Sequence, residues 1–185
     1  MKKNKPNTKK KKPGIGVWGW PAWIIAITFA LDQISKIVID RCCKIGWSKT
    51  IIPGFFNLVY LQNKGAAWGI FSQHTWLLAV VSTVAFLFIL LVFRKMSDGS
   101  RLTAFSLALL EGGIAGNMVD RIFRAAVIDF LDFYIGPHHW PAFNIADSAI
   151  CISIALLLLM QFFSKKKEPQ SKGKDSKSKS KAATK

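Results

Sequence analysis

The chain has 185 residues and combines an apolar composition, 51% hydrophobic, with a formal net charge of +16. The charge is concentrated at both ends: residues 1–14 carry seven lysines and no acid, and residues 164–185 carry nine lysines against Glu168 and Asp175. Three cysteines, an odd number with two of them adjacent, exclude a disulfide framework, and no spacing of Cys and His indicates a zinc site.

Both ends of the chain are rich in Lys, Ser, Pro and Asn and contain few apolar side chains. Such segments cannot bury enough apolar surface to fold, so we predict disordered tails over residues 1–14 and 164–185. Basic tails can bind nucleic acid through its phosphates, but no aromatic residues stand between these lysines to stack on bases. We therefore favour cytoplasmic tails attracted to anionic lipid, flanking one membrane domain over residues 15–163.

The first apolar segment begins at Pro21 and continues to about Asp40. As a helix it is about 30 Å long, which matches the hydrocarbon core of a bilayer. Its basic flank resembles that of a signal peptide, but no clear cleavage site follows, and we expect the segment to be retained. Asp32 and Lys36 are four residues apart and can pair on one helix face, either to neutralise each other or to orient active-site groups.

Residues 41–73 do not resemble a second membrane span, because several charged residues interrupt them. Pro53-Gly54 indicates a turn, and the segment 55–63 is rich in strand-forming residues. These signals predict a small extracytoplasmic β-sheet. The Gly- and Ala-rich residues 63–69 either form a tight turn on the bilayer surface or let the backbone approach a ligand closely.

Three further apolar segments predict membrane-spanning helices over about residues 74–93, 102–121 and 142–163, in addition to the first over about 21–40. Four spans place both tails on one side of the membrane. The basic residues between the second and third spans lie on that same side, and the excess of positive charge there predicts that it is cytoplasmic.

Four carboxylates fall at or near the opposite, outer face, although they are distant in sequence: Asp32, Asp120, Asp129 and Asp147. In the third and fourth spans, Asn117 precedes Asp120 by three residues, as Asn144 precedes Asp147, so each amide shares a face with an acid. Two carboxylates brought close together share a proton and can act as acid and base on a water molecule. This is aspartic-protease chemistry, and spacing alone does not decide whether Asp120 or Asp129 belongs to the pair.

Each of these polar residues also has a structural interpretation. Asp120 could form a salt bridge with Arg121 that caps the helix end, and this is the favoured alternative for that residue. Asp147 could interact with the dipole at the start of its helix. We expect Asp132 to be solvated or at the headgroups, and the histidines at 138–139 to form an interfacial loop.

Five short motifs occur in order between about residues 20 and 163: Asp32-Gln33 with Ser35-Lys36, Asn63–Gly69, Gly116–Arg121, Val127–Phe130 and Phe143–Ser148. In combination they resemble the lipoprotein signal peptidases, the type II signal peptidases of bacteria. Any one motif is weak, but the set in this order is specific. Trp68 stands where the family usually has Phe, which should only adjust a contact surface.

The resemblance implies an integral membrane α-helical protein with four transmembrane helices and a small extracytoplasmic β-sheet. The implied activity is that of a metal-independent aspartic endopeptidase without a cofactor, in the bacterial inner membrane, which cleaves diacylglyceryl-modified prolipoproteins just before the lipidated Cys. The family's catalytic pair maps to Asp129 and Asp147, and binding of globomycin-type inhibitors is expected. The positions that map to supporting or substrate-binding roles are Asp32, Lys36, Asn63, Gly65, Asn117, Asp120, Arg121 and Asn144.

Two other functions compete with the peptidase. A small transporter or proton relay predicts acids spread across the bilayer depth, and only Glu111, within the third span, fits that pattern. We expect Glu111 to be protonated or paired inside the bundle. A structural adaptor with lipid-binding tails leaves the two Asn-x-x-Asp pairs without a purpose. We therefore favour the peptidase.

Overall fold

The computed structural model describes residues 19–65, 74–97 and 100–165. Within these residues the elements follow in the order α1 (Trp20–Cys42), β1 (Ser48–Ile52), β2 (Phe56–Asn63), α2 (Thr75–Ser97), α3 (Arg101–Phe123), β3 (Val127–Ile135), β4 (His138–His139) and α4 (Ile145–Lys165). All four helices are long and apolar enough to cross a membrane. The predicted fold class, four transmembrane helices with a small β-sheet, is confirmed. The predicted first tail, the second tail from residue 166 and the segment 66–73 lie outside the described residues.

The fourth helix begins at Ile145, three residues later than the predicted span, because Asn144 caps it. The backbone N–H of Asp147 donates to Asn144 Oδ1 at 3.0 Å, and the backbone N–H of Asn144 donates to Asp147 Oδ2 at 3.3 Å. This reciprocal pair of hydrogen bonds is a capping box, which fixes both side chains at the start of the helix.

The third helix packs against each of the other three helices and contains most of the buried helical residues. Its glycines explain how close the neighbours come. A Cβ on Gly112 would lie 2.7 Å from Thr28 Cβ of α1, and a Cβ on Gly113 would lie 2.7 Å from the backbone oxygen of Ala146 of α4. Small residues therefore let α1 and α4 approach α3 and bring their polar side chains together.

The second helix contributes little to this interior. Phe93 is its one buried residue among those described, and large apolar side chains such as Trp76, Leu87 and Leu91 are exposed. A helix that is apolar all round and exposed suits contact with lipid.

The sheet is antiparallel throughout and has the strand order β1-β2-β3-β4. Strand β3 was expected only as a connection between the third and fourth spans. It pairs instead with β2, with Leu61 opposite Asp129 and Asn63 opposite Val127. The register shifts between Leu58 and Leu61, an irregularity of the kind that re-aims side chains in a sheet.

The inner face of the sheet packs on the last turns of α1. Ile39 of α1 forms an apolar cluster with Tyr60, Ile128 and Phe130 of the sheet. The Tyr60 hydroxyl also donates a hydrogen bond to the Asp40 carboxylate. These contacts fix β2 and β3 at the end of the bundle where the polar residues of α1, α3 and α4 lie.

Candidate active site

A cavity of about 460 Å³ lies where β2 and β3 meet the start of α4. Asp129 from β3 and Asp147 from the first turn of α4 both line it. An apolar wall is formed by Trp140, Pro141 and Phe143, just before α4. The structure thus brings the two predicted catalytic carboxylates into one cavity with a largely apolar surround.

Asp129 is held by two amides. Asn63 Nδ2 donates to its Oδ2 at 3.0 Å, and Asn144 Nδ2 donates to its Oδ1 at 2.8 Å. The residue is 3% exposed. Burial, and secondly the negative charge of Asp147, raise the pKa of Asp129 to about 7, while the hydrogen bonds from the two amides lower it. Near neutral pH this carboxyl can therefore hold or release a proton.

Asp147 is held by one side-chain amide and one backbone amide. Asn117 Nδ2 donates to its Oδ1 at 2.7 Å, and the backbone N–H of Asn144 donates to its Oδ2 at 3.3 Å. Because Asp147 lies in the first turn of α4, the helix dipole also favours its negative charge. The sequence-based interpretation of Asp147 as a first-turn acid is correct, and it is compatible with a position in the cavity.

Asn144 connects the two carboxylates. Its side-chain oxygen accepts from the backbone N–H of Asp147 at 3.0 Å, so its Nδ2 faces the other way and donates to Asp129. Nδ2 also lies 3.3 Å from Asn117 Oδ1 and from the backbone oxygen of Ile128. One fully buried amide thus sets the relative position of β3 and α4.

Beneath the cavity lies a second group of polar residues, which we term the support cluster: Asp32, Gln33, Lys36, Asp120 and Arg124. Lys36 Nζ lies 2.8 Å from Asp32 Oδ2 and 2.7 Å from Asp120 Oδ2, and all three side chains are 0% exposed. Arg124 forms an ion pair with Asp120. Gln33 Nε2 donates to Asp32 at 3.1 Å and to Asp120 at 3.2 Å. The cluster contains two acids and two cations, so its formal charges balance.

The support cluster is joined to the helices around it. Asp32 Oδ1 accepts from the backbone N–H of Ala146 at 2.9 Å, which ties α1 to the start of α4. Lys36 Nζ donates to Asn117 Oδ1 at 2.9 Å. The predicted Asp32–Lys36 pair is therefore present, and it is buried among α1, α3 and α4.

Two sequence-based expectations were wrong. Asp120 does not pair with its neighbour Arg121. It pairs with Arg124, because residues four apart share a helix face and adjacent residues do not, and it also pairs with Lys36 of the neighbouring helix α1. Asp132 is not solvated. It is 8% exposed, accepts from Asn57 Nδ2 at 2.8 Å and contacts His139 across the β3–β4 hairpin.

The remaining predicted site residues lie at the cavity. The backbone N–H of Gly65 donates to Asn63 Oδ1 at 2.9 Å, which turns the Asn63 amide nitrogen toward Asp129. Arg121 lines the cavity with both aspartates, and its Nη1 makes a long hydrogen bond of 3.5 Å to the backbone oxygen of Asn117. The residues Ala66–Gly69 of the same motif lie outside the described residues.

Gln33 and Arg124 were not predicted as site residues. Gln33 Oε1 accepts from Arg124 Nη1 at 3.1 Å, so the two close the support cluster on its outer side. The position of Arg124, four residues after Asp120 in one helix, is a signal that could have identified it. Cys151 also lines the cavity. It follows Asp147 by four residues and so shares its helix face, and that spacing could have identified it as well.

Glu111 is 1% exposed, and neither of its carboxylate oxygens has a hydrogen-bond partner among the described residues. The expected pairing inside the bundle is therefore not seen in that part of the chain. In the same ranges, no three His, Cys, Asp or Glu side chains are grouped so that they could hold a metal ion.

Proteins of one family are similar to this chain over most of its length. The family model described as signal peptidase (SPase) II matches residues 24–163. The chain is 41% identical over 148 residues to a lipoprotein signal peptidase of Geobacter metallireducens, covering 78% of this chain and 91% of that protein. It is 38% identical over 150 residues to a lipoprotein signal peptidase of Bacillus pumilus, covering 80% of this chain and 97% of that one.

Two solved structures have folds similar to that of this chain. One, described as a bacterial membrane enzyme determined by the in meso method at 2.3 Å resolution, has a TM-score of 0.74 and 33% sequence identity. The similarity covers 83% of this chain and 95% of that chain. A second structure with the same description at 1.9 Å resolution has a TM-score of 0.71 and 31% identity, over 77% of this chain and 92% of the other.

Proposed function

This chain belongs to the signal peptidase II family and removes signal peptides from prolipoproteins; we propose that it does so as an aspartic endopeptidase with Asp129 and Asp147 as its catalytic pair. One observation carries the proposal. Both carboxylates line the same cavity, and each is held by amide donors and forms no salt bridge with a cation among residues 19–65, 74–97 and 100–165. Amide donors fix the position of a carboxylate without pairing it with a positive charge, so the carboxylate can still take up and release a proton.

The two carboxylates take different roles. Asp129 holds the proton, since burial and the charge of Asp147 raise its pKa to about 7. Asp147 is the ionised partner, because an amide, a backbone N–H and the helix dipole all favour its negative charge. The acid and the base of the reaction are thus set by two different environments.

The reaction follows from these states. Asp147 takes a proton from water, and the oxygen of that water attacks the scissile carbonyl while Asp129 gives its proton to the carbonyl oxygen. The resulting gem-diol collapses as Asp147 passes its proton to the leaving amine and Asp129 regains a proton from a hydroxyl. No metal or covalent intermediate is required, and water is the only co-reactant.

The cavity suits a lipidated substrate. Its polar floor holds the carboxylates and Arg121, and its apolar wall contains Trp140 and Phe143. The diacylglyceryl group can remain in lipid while the extended peptide lies along the end of β2, near Asn63 and Gly65. We propose that cleavage occurs just before the lipidated Cys and that globomycin-type peptides compete for the same cavity.

The orientation in the membrane is also a proposal. Arg94 and Lys95 end α2, and Arg101 begins α3, so these charges lie at the opposite end of α3 from Arg121 and the cavity. The positive-inside rule then places them, and both termini, in the cytoplasm of a bacterial inner membrane, with the cavity near the outer face.

The function is tested with the purified chain in liposomes. A diacylglyceryl-modified precursor should be cleaved to a product whose N-terminus is the lipidated Cys, as read by mass spectrometry. The same precursor without lipid is the matched substrate control, and a chelator and globomycin are added in parallel reactions. Cleavage that needs the lipid, resists the chelator and is blocked by globomycin supports the proposal. Loss of activity with the chelator, restored by a metal, would contradict the metal-independent aspartic mechanism.

A further inference from the structure

We propose that Lys36 is a positioning residue that fixes the orientation of the Asn117 amide, so that this amide donates to Asp147 and keeps it the ionised member of the pair. Lys36 is not among the described residues that line the cavity, and its hydrogen bond toward the cavity is to Asn117. Its charge also acts on Asp129, so the experiment below holds the formal charge around it constant. The proposal rests on the catalytic roles proposed above for Asp129 and Asp147.

The ammonium group of Lys36 is fully satisfied. It lies 2.9 Å from Asn117 Oδ1, 2.8 Å from Asp32 Oδ2 and 2.7 Å from Asp120 Oδ2, and its side chain is 0% exposed. An ammonium carries three donors and no acceptor. Whichever atom of the Asn117 amide faces Lys36 must therefore be the oxygen.

The oxygen's position decides where the amide nitrogen points. Asn117 Oδ1 accepts from Lys36 and lies 3.3 Å from Asn144 Nδ2, and Asn117 Nδ2 donates to Asp147 Oδ1 at 2.7 Å. A flipped amide would place its NH₂ against two donors and its oxygen against the carboxylate. Lys36 thus makes Asn117 a donor to Asp147, and a donor stabilises the ionised carboxylate.

Asn144 shows what an amide without this dependence looks like. Its oxygen accepts from the backbone N–H of Asp147 at 3.0 Å, so the helix itself sets its orientation. The Asn117 side chain makes no such hydrogen bond to the backbone among the described residues, and its contacts are to the side chains of Lys36, Asn144 and Asp147. Its orientation is therefore the one that a change at Lys36 can release.

The charged groups around these residues separate the effect of Lys36 from direct electrostatics. Asp147 faces Asp129 of β3 and Arg121 of α3 in the cavity. Lys36 faces Asp32 of its own helix and Asp120 of α3. Removing Lys36 together with one of its acids leaves the formal charge of the support cluster at zero, so a remaining effect on the reaction reports the orientation of Asn117.

The test compares Lys36→Met/Asp120→Asn with wild type, because the support cluster has a formal charge of zero in both. Asp120→Asn alone, which keeps the Lys36–Asn117 hydrogen bond, is the control for loss of the acid. Cleavage of the lipidated precursor is measured across pH for protein inserted in liposomes. We expect kcat to fall about 10–100-fold, the scale of a lost charge-assisted hydrogen bond, with KM changed less than about threefold. The acidic limb of the rate profile should move to higher pH, because the Asp147 carboxylate loses a hydrogen-bond donor that stabilises its negative charge. A purely structural role would lower the amount of folded protein and leave the limb in place.

A second double variant, Lys36→Met/Asp32→Asn, makes the same charge-matched comparison with wild type if the first fails to insert, with Asp32→Asn as its control. In an Asn117→Ala background, removing Lys36 together with the same acid should move the acidic limb no further, because the two residues act in series. Superimposed pH profiles for the double variant and wild type would overturn the inference. If instead wild type fails to cleave, or Asp129→Asn and Asp147→Asn retain full activity, the proposed function itself is wrong.

Discussion

The support cluster and the catalytic cavity are both built around pairs of aspartates, yet their partners differ. In the support cluster, Asp32 and Asp120 share Lys36, and Asp120 has Arg124 as a second cation. In the cavity, Asp129 and Asp147 accept hydrogen bonds from amides, with Arg121 as the basic residue in the described lining. The partners therefore distinguish the two pairs. Two of the four acids are paired with cations, and in the proposed mechanism the two that are held by amides exchange protons.

The largest expected effect comes from the cavity. Asp129→Asn or Asp147→Asn removes a carboxyl that gives or takes a proton, so cleavage should fall by at least about 10²–10⁴-fold. Initial rates on the lipidated precursor check this, normalised to inserted protein. Near-wild-type cleavage by either variant would remove that residue from the catalytic pair.

A smaller effect on the rate, and a larger one on stability, is expected in the support cluster. Asp120→Asn leaves the buried Lys36 with one acid fewer, and breaking a buried ion pair destabilises by about 3–5 kcal/mol. Thermal unfolding in detergent should show a clear drop in Tm, while the rate per folded protein falls less than about tenfold. An Asp120→Asn variant that stayed as stable as wild type but lost all activity would contradict the structural role of Asp120 in the support cluster.

The pH dependence of the cleavage rate tests the proposed protonation states of the cavity carboxyls. In the proposed mechanism Asp129 is the acid, so activity requires its protonated form and should fall as pH rises through its pKa of about 7. On the acidic side the rate should fall as the base of the pair loses its ionised form, which gives a bell-shaped profile. The measurement is kcat/KM against pH under conditions where chemistry limits the rate. A flat profile from mildly acidic pH to pH 8 would exclude a shared proton.

The smallest effect is expected outside both regions. Deletion of residues 168–185 removes lysines that, in our interpretation, only aid topology and attraction to lipid. Cleavage by the inserted, shortened chain should remain within about twofold of wild type. A large loss of activity in correctly inserted protein would show that the tail has a role in cleavage itself.

Much of the fold could be predicted because its signals are local. Four long apolar segments and the strand formers before Asn63 predicted the helices and one strand of the sheet. Strand β3 was missed although Val127–Ile135 is rich in strand-forming residues, because its pairing with β2 joins residues more than 60 positions apart. The capping role of Asn144 moved the start of α4, a boundary that hydropathy does not define.

The site was predicted unevenly for a physical reason. Depth in the membrane follows from the position of Asp32, Asp120 and Asp147 in their spans, and Asp129 lies in the short segment between the third and fourth spans. The convergence of the four aspartates at one face could therefore be predicted. The partners of these aspartates that lie on other elements could not be predicted from the spacing of residues. Lys36 of α1 contacts Asp120 of α3, and Asn144, just before α4, contacts Asp129 of β3. The residues alone could not separate Asp120 from Asp129, and the resemblance to the family made that choice. The cation partners of Asp120 and the amide partners of Asp129 support it.

The proposed mechanism requires Asp129 to carry a proton near neutral pH. Infrared difference spectroscopy across pH, on protein in liposomes, observes this directly through the carbonyl band of a protonated carboxyl. In a Glu111→Gln background, which removes another buried carboxyl, one that has no hydrogen-bond partner among the described residues, we predict a band that disappears as pH rises through about 7. The band should be absent when Asp129→Asn is added to that background and retained when Asp120→Asn is added. A titrating band that persists after Asp129→Asn is added, or one that vanishes after Asp120→Asn is added, would contradict the account.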